Sequence, residues 1–319
     1  MNNQLSLIFG GSGFIGQHLA NKLNSNYLNL DIVGTEKNYQ YCDVRNPINI
    51  KSEKPVDIIY NLAAIHITPG HEYHEYFETN IKGAENVCNI ARIENVNTIV
   101  FTSSIAPYGT WEEEKTEDSL PLPTSAYGSS KLVAEEIHKR WQSEKQDVRK
   151  LIIVRPGVVF GQYENGNFTR LYKAMKSGRF FYPGRKDTKK VAIYVKDLVR
   201  LMVEMIEREK PGLHIYNTVY TPCHTIEEIC QIMAKVIHIR EPKMTIPAGL
   251  LRFSALSING FGKIMGKSFN GIHPDRVKKL MTSTNINGQK LLSHGYKLDY
   301  SLGEGIKDWF EDCNKKGLL

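Results

Sequence analysis

The chain has 319 residues, of which 41% are hydrophobic, and a formal net charge of +7. This length and composition predict a sizeable core, either as one large α/β domain with an additional lobe or as two domains. No apolar run is long enough to span a membrane, the polar N-terminus does not resemble a signal peptide, and the basic clusters lack the interleaved aromatics of a nucleic-acid surface.

The first predicted elements are a buried strand over 5–9 and a helix over 14–23, separated by a glycine-rich turn. The helix is indicated by Ile15, Leu19 and Leu23, which are apolar and follow helical spacing. Further strands are predicted over 27–33, 57–62, 98–102, 150–155 and 213–217, and further helices over 73–95, 127–145 and 195–209. Strands that alternate with helices predict an α/β fold with a Rossmann-type, doubly wound parallel sheet and a smaller, mostly helical C-terminal lobe.

The turn after the first strand carries Gly10, Gly11, Gly13 and Gly16. Glycines at this spacing allow a tight turn, close backbone approach to a pyrophosphate and close packing of helix on strand. The N-terminus of the next helix adds free N–H groups, which favour an anion. Asp31 lies at the end of the second strand, where it would accept hydrogen bonds from the adenosine ribose and repel a 2′-phosphate. The turn therefore predicts dinucleotide binding, with NAD favoured over NADP.

Tyr127 and Lys131 are four residues apart in the predicted helix over 127–145, so both side chains project from one face. A nearby ammonium favours the phenolate, so we expect Lys131 to lower the pKa of Tyr127 from about 10. A tyrosine tuned in this way is a usable general acid or base. Ser104 follows the strand over 98–102 and would hold a substrate oxygen against the Tyr127 hydroxyl. With the dinucleotide turn upstream, these residues predict hydride and proton transfer at an alcohol or ketone carbon.

These motifs resemble those of the extended short-chain dehydrogenases/reductases, the NAD-dependent epimerase/dehydratase family, and especially its nucleotide-sugar epimerases. The resemblance covers essentially the whole chain, through segments 10–16, 61–64, 79–83, 102–104, 127–131, 194–197 and 302–309. It implies that Ser104, Tyr127 and Lys131 are catalytic, and that a homodimer forms through helices near 80–95 and 127–145. The cofactor-binding residues under this resemblance are Gly10, Gly13, Phe14, Ile15, Gly16, Asp31, Asp43, Val44, Leu62, Ala63, Ala64, Asn80, Thr102, Tyr127, Lys131 and Pro156.

Two positions keep alternative interpretations. Asp43 and Val44 would flank the adenine, or Asp43 is a plain loop aspartate. His66, which follows the 61–64 turn, would face the substrate, or it is a hydrogen-bonded structural histidine.

The positions after the catalytic serine bear on the reaction. Family 4,6-dehydratases carry an Asp-Glu pair there for water elimination, whereas this chain has Ile105 and Ala106. Dehydration is therefore disfavoured, and epimerisation or simple oxidation and reduction remain. Val158 stands where many nucleotide-sugar members carry asparagine. That variant resembles some polysaccharide-pathway enzymes, and also the branch that acts on steroid or flavonoid alcohols.

A basic loop over 184–190 is the candidate contact for a substrate diphosphate. In nucleotide-sugar members of the family an arginine commonly reaches the diphosphate from the end of this loop, and Lys190 occupies the matching position. Lysine keeps the charge but loses the bidentate fork. A solvated basic loop is the alternative interpretation. A second contact would come from Arg185, Lys186, Lys189, Arg252 or Arg276.

The segment over 247–265 is apolar. It would pack the substrate lobe, form a wall of an apolar substrate pocket, or rest against a membrane surface. The five cysteines are scattered and include no C-x-x-C pair, so neither a disulfide framework nor a metal site is expected. A reducing cytoplasm is the predicted compartment.

Taken together, the sequence predicts an NAD-dependent epimerase or oxidoreductase that acts on a hydroxyl or keto carbon of a nucleotide-activated sugar. Residues 1–155 form the predicted NAD-binding domain, with 191–217 returning to its sheet. Residues 156–190 and 218–319 form the predicted substrate-binding lobe. His66, Ser104, Lys190 and Arg252 are the predicted substrate contacts. The alternatives are a reductase or dehydrogenase of an apolar alcohol, and an NAD-sensing protein without catalysis.

Overall fold

A seven-stranded parallel sheet forms the centre of the computed structural model, which describes residues 5–34, 37–52, 54–67, 70–250 and 281–315. The strands are β1 Leu5–Phe9, β2 Tyr27–Asp31, β3 Tyr39–Tyr41, β4 Val56–Asn61, β5 Thr98–Thr102, β6 Lys150–Pro156, β7 Val158–Phe160, β8 Tyr182–Pro183, β9 Lys189–Lys190, β10 Ala192–Tyr194, β11 Gly212–Thr218, β12 His224–Thr225 and β13 Thr245–Ile246. The order in the sheet is β11-β6-β5-β4-β1-β2-β3. The strand order reverses between β1 and β4, and ligands of such sheets bind beyond the carboxyl ends of the strands at that point.

Helices connect the strands and cover both faces of the sheet. They are α1 Phe14–Leu23, α2 Tyr73–Ile93, α3 Ala126–Ser143, α4 Asn167–Lys176, α5 Val195–Arg208, α6 Ile226–Ile237, α7 Gln289–Ser293 and α8 Leu302–Lys315. A short 3-10 turn follows β5 at Ala106–Tyr108. Within the described part of the chain, no helix is both long and apolar enough to cross a membrane.

Successive side chains along the strands point to opposite faces of the sheet and pack into two separate hydrophobic cores. In β1, Leu7 and Phe9 pack into the core under α2 and α3, whereas Ile8 points into the core under α1 and α5. This alternation is the expected consequence of the two-residue repeat of a strand. Because both sides of the central strands are covered, these strands read as continuous apolar runs in the sequence.

The core under α1 and α5 continues into the C-terminal part of the molecule, which is the predicted substrate lobe. Phe160 stacks on Phe168 with ring centroids 4.5 Å apart, and the Trp309 ring of α8 meets it edge-on at 6.2 Å. Three two-stranded pairs extend this region: β7 with β10, β9 with β12, and β8 with β13. The division of the chain into a cofactor domain and a substrate lobe therefore involves one continuous core, and its boundary stays a prediction.

Most predicted elements are confirmed to within two residues. The strand over 98–102 and the helix over 14–23 match β5 and α1, and the strand over 213–217 is β11, which pairs in parallel with β6. The second strand ends at Asp31 rather than at 33, because Val33 donates its N–H to the Asp31 carboxylate and turns the chain. The sequence reading missed β3, whose three residues are too few for an alternation to show.

Candidate active site

Close packing leaves no room for a side chain at three of the four glycines in the turn after β1. Gly10 has φ 79°, and a Cβ there would lie 2.8 Å from the backbone nitrogen of Ala63. A Cβ on Gly16 would lie 2.5 Å from the Cα of Gly11. A Cβ on Gly13 meets only the carbonyl oxygen of Gly10, at 3.3 Å. The bare backbone at Gly13 is therefore not explained by internal packing, and it fits close approach of a pyrophosphate at the start of α1.

Asp31 lies beside this turn, at the carboxyl end of β2. Its carboxylate accepts a hydrogen bond from the Ser12 N–H at 3.0 Å and another from the Val33 N–H at 3.2 Å. The Ser12 hydroxyl donates in turn to the Val33 carbonyl at 2.6 Å. These contacts fix the carboxylate next to the turn with acceptor capacity to spare, as the predicted ribose contact requires.

The loop after β4 forms the opposite side of the turn. Leu62 donates its N–H to the Phe9 carbonyl at 2.9 Å, and Ala63 is the close neighbour of Gly10. Asn80, 4% exposed, accepts from the Ile65 N–H at 2.9 Å and donates to the Ile65 carbonyl at 3.1 Å and to the Ser130 hydroxyl at 2.8 Å. Asn80 therefore ties the loop that carries Ala64 to α2 and α3, and its amide is occupied by protein partners.

The other predicted cofactor positions lie around the same edge of the sheet. Phe14 and Ile15 begin α1 and pack partly buried against the core. Asp43 follows β3 and is held by the Arg45 guanidinium at 2.7 Å, whose hydrogen bond keeps the pKa of that carboxyl below its usual range. Val44 is buried against Gly83. Residues Thr102 and Pro156 end β5 and β6.

Ser104, Tyr127 and Lys131 meet where β5 ends and α3 begins. Ser125 caps α3 by accepting a hydrogen bond from the Gly128 N–H at 3.1 Å, which fixes the first turn that carries Tyr127. The Ser104 side chain lies close enough to the Tyr127 hydroxyl to lower its pKa. The Lys131 ammonium, 2% exposed, donates to the Thr102 carbonyl at 2.7 Å. The predicted trio is thus brought together.

The prediction that Lys131 lowers the pKa of Tyr127 is wrong in direction for the protein without cofactor. Burial raises the pKa of Tyr127 to about 12, and the hydrogen bond from Ser104 is the one opposing influence. Burial also lowers the pKa of Lys131 to about 7, against a smaller opposing effect of the Glu135 carboxylate. The Lys131 ammonium, which donates to the Thr102 carbonyl, is not among the influences on the pKa of Tyr127.

A buried ionic network behind the trio was missed by the sequence reading. Arg155 donates to both oxygens of Glu135, at 2.9 and 2.5 Å, and these side chains are 3% and 0% exposed. The Ser103 hydroxyl donates to Glu135 at 2.5 Å, and Arg155 also donates to the Tyr108 hydroxyl at 2.6 Å. Glu135 is one helical turn beyond Lys131, so the network joins α3 to the ends of β5 and β6. The sequence signal for this network is Arg155, a charged residue at the end of the apolar run of β6.

His66 lies near the trio. Desolvation lowers the pKa of its ring, and the positive charge of Lys131 lowers it further, so the two groups are within electrostatic range. This position is compatible with the predicted substrate contact, which stays a prediction.

The basic loop is largely engaged with protein partners. Arg185 pairs with Glu112 at 2.6 Å, and Lys186 pairs with Glu227 at 2.9 Å. Lys190 donates to the Thr282 carbonyl at 2.8 Å, and burial lowers its pKa to about 8. Lys189 donates to the Asn285 side chain at 3.4 Å. Two further candidates, Arg252 and Arg276, and most of the apolar 247–265 segment lie outside the described residues.

Comparisons with known proteins agree with this geometry. The sequence matches the NAD dependent epimerase/dehydratase family over residues 6–218. It is 27% identical over 313 residues to an N-acetyl-alpha-D-glucosaminyl-diphospho-ditrans,octacis-undecaprenol 4-epimerase of Escherichia coli O157:H7, covering 96% of this chain and 94% of that protein. It is 24% identical to a UDP-glucose 4-epimerase of Vibrio cholerae over 94% of this chain and 93% of that protein.

The fold is shared with solved epimerase structures. A UDP-glucuronic acid 4-epimerase from Bacillus cereus, solved in complex with NAD, superposes with a TM-score of 0.72. The two chains are 20% identical, and the superposition covers 99% of this chain and all of the other.

Proposed function

Because the chain belongs to the NAD dependent epimerase/dehydratase family, we propose that it is an NAD-dependent epimerase that inverts a hydroxyl-bearing carbon of a nucleotide-activated sugar. The observation that carries the proposal is the meeting of Ser104, Tyr127 and Lys131 where β5 ends and α3 begins. On this proposal residues 1–155 with 191–217 hold the cofactor, and 156–190 with 218–319 hold the sugar.

The protein side chains divide the proton chemistry among themselves. NAD, when bound, supplies a hydride acceptor and donor. Tyr127 would take the proton of the substrate hydroxyl as its phenolate and return it when the carbonyl is reduced. Because burial raises the pKa of the phenol to about 12 in the protein alone, the positive nicotinamide ring of bound NAD⁺ would have to favour the phenolate. Ser104 orients the substrate oxygen toward Tyr127. Lys131 donates to the Thr102 carbonyl at the end of β5. This hydrogen bond holds α3, which carries Tyr127, against the strand that leads to Ser104.

Inversion requires no further acid or base beyond this pair. Water elimination would need an additional acid–base pair, and the residues after Ser104 are Ile105 and Ala106, which have no titratable side chain. Epimerisation returns the hydride to the same carbon and leaves no net redox change, so it separates cleanly from a dehydrogenase reaction in an assay.

The test combines product analysis with cofactor accounting. Purified protein is incubated with a panel of UDP-sugars and substoichiometric NAD, and the 4-epimer is quantified by proton NMR while NADH is followed by absorbance. We expect epimer to exceed NAD many-fold without accumulation of NADH. Stoichiometric NADH would instead identify a dehydrogenase.

The matched variants for this test are Tyr127→Phe and Tyr73→Phe. Tyr127→Phe removes the acid–base hydroxyl and should lower turnover by at least about a hundredfold. Tyr73 is 74% exposed on α2, so Tyr73→Phe should keep full activity. Equal turnover in both variants would contradict the assigned role.

A second candidate carrier is a polyprenyl diphosphate. It is favoured by the Escherichia coli O157:H7 relative, whose name specifies an undecaprenol-linked sugar and which matches 96% of this chain. The same assay with a short-chain polyprenyl diphosphate sugar in detergent distinguishes the carriers. The apolar-alcohol alternative finds no support among the relatives described above.

A further inference from the structure

Helix α4 and the turn after it present an exposed basic surface. From Asn165 to Lys186 the sequence contains no aspartate or glutamate. The apolar side of α4 is buried, whereas its cations face solvent. We call this surface the α4 basic face; it consists of Arg170, Lys173, Lys176 and Arg179.

The cations of this face have no carboxylate partners among the described residues. Arg170 donates to the Asn167 side chain at 2.9 Å, and Lys176 lies 5.3 Å above the Tyr172 ring, and both of these partners are neutral. The neighbouring cations Arg185 and Lys186 are, by contrast, each paired with an acid. Within the described part of the chain, the positive charge of the α4 basic face is therefore not neutralised by carboxylates.

Exposed apolar side chains lie at and just after the strand pair that follows α4. The chain leaves α4 through Arg179 and enters β8, which pairs with β13. Tyr182 in β8 donates its N–H to the Met244 carbonyl at 2.8 Å. Met244 is 60% exposed and Leu250, which follows β13, is 57% exposed.

We infer that the α4 basic face, with the adjoining Met244 edge, docks on an anionic lipid bilayer. Cations close to a negatively charged leaflet are attracted by its surface potential, and apolar side chains beside them enter the headgroup region. Arg170 and Lys176 are spread about 9 Å along the helix axis and do not converge on one point, which suits a planar partner better than a small anion. Exposed aliphatic rather than aromatic neighbours disfavour single-stranded nucleic acid.

This inference goes beyond the proposed reaction, since the α4 basic face lies in the proposed sugar-binding lobe but includes none of the proposed contacts His66, Ser104, Lys190 and Arg252. If it holds, the enzyme is positioned at a membrane, where a lipid-linked sugar would reach it by lateral diffusion. It therefore favours the polyprenyl carrier over a freely soluble one.

The experiment is vesicle co-sedimentation of the full chain. Vesicles of pure phosphatidylcholine are compared with vesicles in which about one-third of the lipid is anionic phosphatidylglycerol. Both are tested at low and at physiological ionic strength. The test variant is Lys173→Gln/Lys176→Gln/Arg179→Gln. The matched control is Lys22→Gln/Lys51→Gln/Lys54→Gln, which removes the same charge from exposed positions elsewhere.

We expect the wild type and the control variant to bind anionic vesicles, and the α4 variant to bind about a hundredfold more weakly at low ionic strength. Met244→Ser should weaken the binding that persists at physiological salt. Equal binding by the two triple variants, no binding of the wild type to anionic vesicles, or binding to single-stranded RNA in place of vesicles would overturn the inference.

Activity on soluble UDP-sugars and on a short-chain polyprenyl diphosphate sugar is measured in parallel on all variants. Vesicle binding without epimerase activity would contradict the proposed function and leave the docking surface intact, whereas activity without vesicle binding would do the reverse.

Discussion

The Arg155–Glu135 ion pair offers a quantitative test of how the site is held. Both partners are almost completely buried, and each also hydrogen-bonds a neutral side chain, Tyr108 for Arg155 and Ser103 for Glu135. Replacing Arg155 by Met leaves the Glu135 carboxylate inside the protein with the Ser103 hydroxyl as its remaining partner. Breaking a buried pair in this way costs about 3–5 kcal/mol, because the remaining charge keeps its desolvation penalty without compensation.

The predicted loss is measurable by equilibrium unfolding in urea, followed by far-ultraviolet circular dichroism. For a chain of this size it corresponds to a decrease in Tm of about 4–8 °C. The control is the double variant Glu135→Leu/Arg155→Met, which removes both charges and fills the space with apolar atoms. We expect the double variant to recover most of the lost stability, since a buried pair and an apolar replacement are close in free energy.

The reasoning would be refuted by either of two results. A loss below about 1 kcal/mol in Arg155→Met would mean that the pair is solvated or dispensable. A double variant no more stable than the single one would mean that the cost comes from packing and not from the uncompensated charge. A double-mutant cycle with Glu135→Leu alone separates the coupling energy from the individual effects.

Three further outcomes are expected. Gly13→Ala should weaken NAD binding, measured by calorimetry, while it leaves Tm within about 2 °C of wild type. Gly16→Ala should lower Tm, because its Cβ would lie 2.5 Å from a backbone carbon. The reverse ranking of the two variants would refute the assignment of the glycine turn to pyrophosphate binding. Asp31→Ala should reduce the preference for NAD over NADP at least about tenfold, and an unchanged ratio of dissociation constants would contradict the ribose role. The pKa of Lys131 is lowered by burial from 10.5 to about 7, so its stabilising contribution is complete above pH 10.5 and is lost as pH falls toward 7. Relative to wild type, Lys131→Met should therefore gain in Tm as pH falls through that window in NAD-free protein, and a pH-independent difference would exclude the proposed titration.

Local patterns were sufficient to locate the glycine turn and to place the proposed catalytic pair, Tyr127 and Lys131, on one helix. The sequence places Gly10, Gly13 and Gly16 between a strand and a helix, and close approach of backbone to backbone is the reason that Gly10 and Gly16 have no side chain. The spacing of Tyr127 and Lys131 is one helical turn, so a correctly predicted helix already puts them on one face. The strand and helix assignments rest on the same short-range periodicity, which is why they hold to within two residues.

Other features depended on partners that are distant in the sequence. Arg185 and Lys186 read as a basic phosphate loop, yet their counter-charges, Glu112 and Glu227, are contributed by other parts of the chain. The prediction that the pKa of Tyr127 is lowered was wrong in direction for the same reason. A helical repeat indicates neither how deeply Tyr127 is buried nor that Lys131 donates to the Thr102 carbonyl.

The sequence by itself determined the main strands and helices of the sheet, their order, the glycine turn and the candidate reacting side chains, because these follow from patterns within a few residues. Only the tertiary structure decided which charges are neutralised and which are exposed, as the paired loop at Arg185 and the unpaired α4 basic face illustrate. It also decided the Arg155–Glu135 link between α3 and β6. The physical reason is that burial and charge pairing are properties of three-dimensional proximity, which the periodicity of a single chain does not encode.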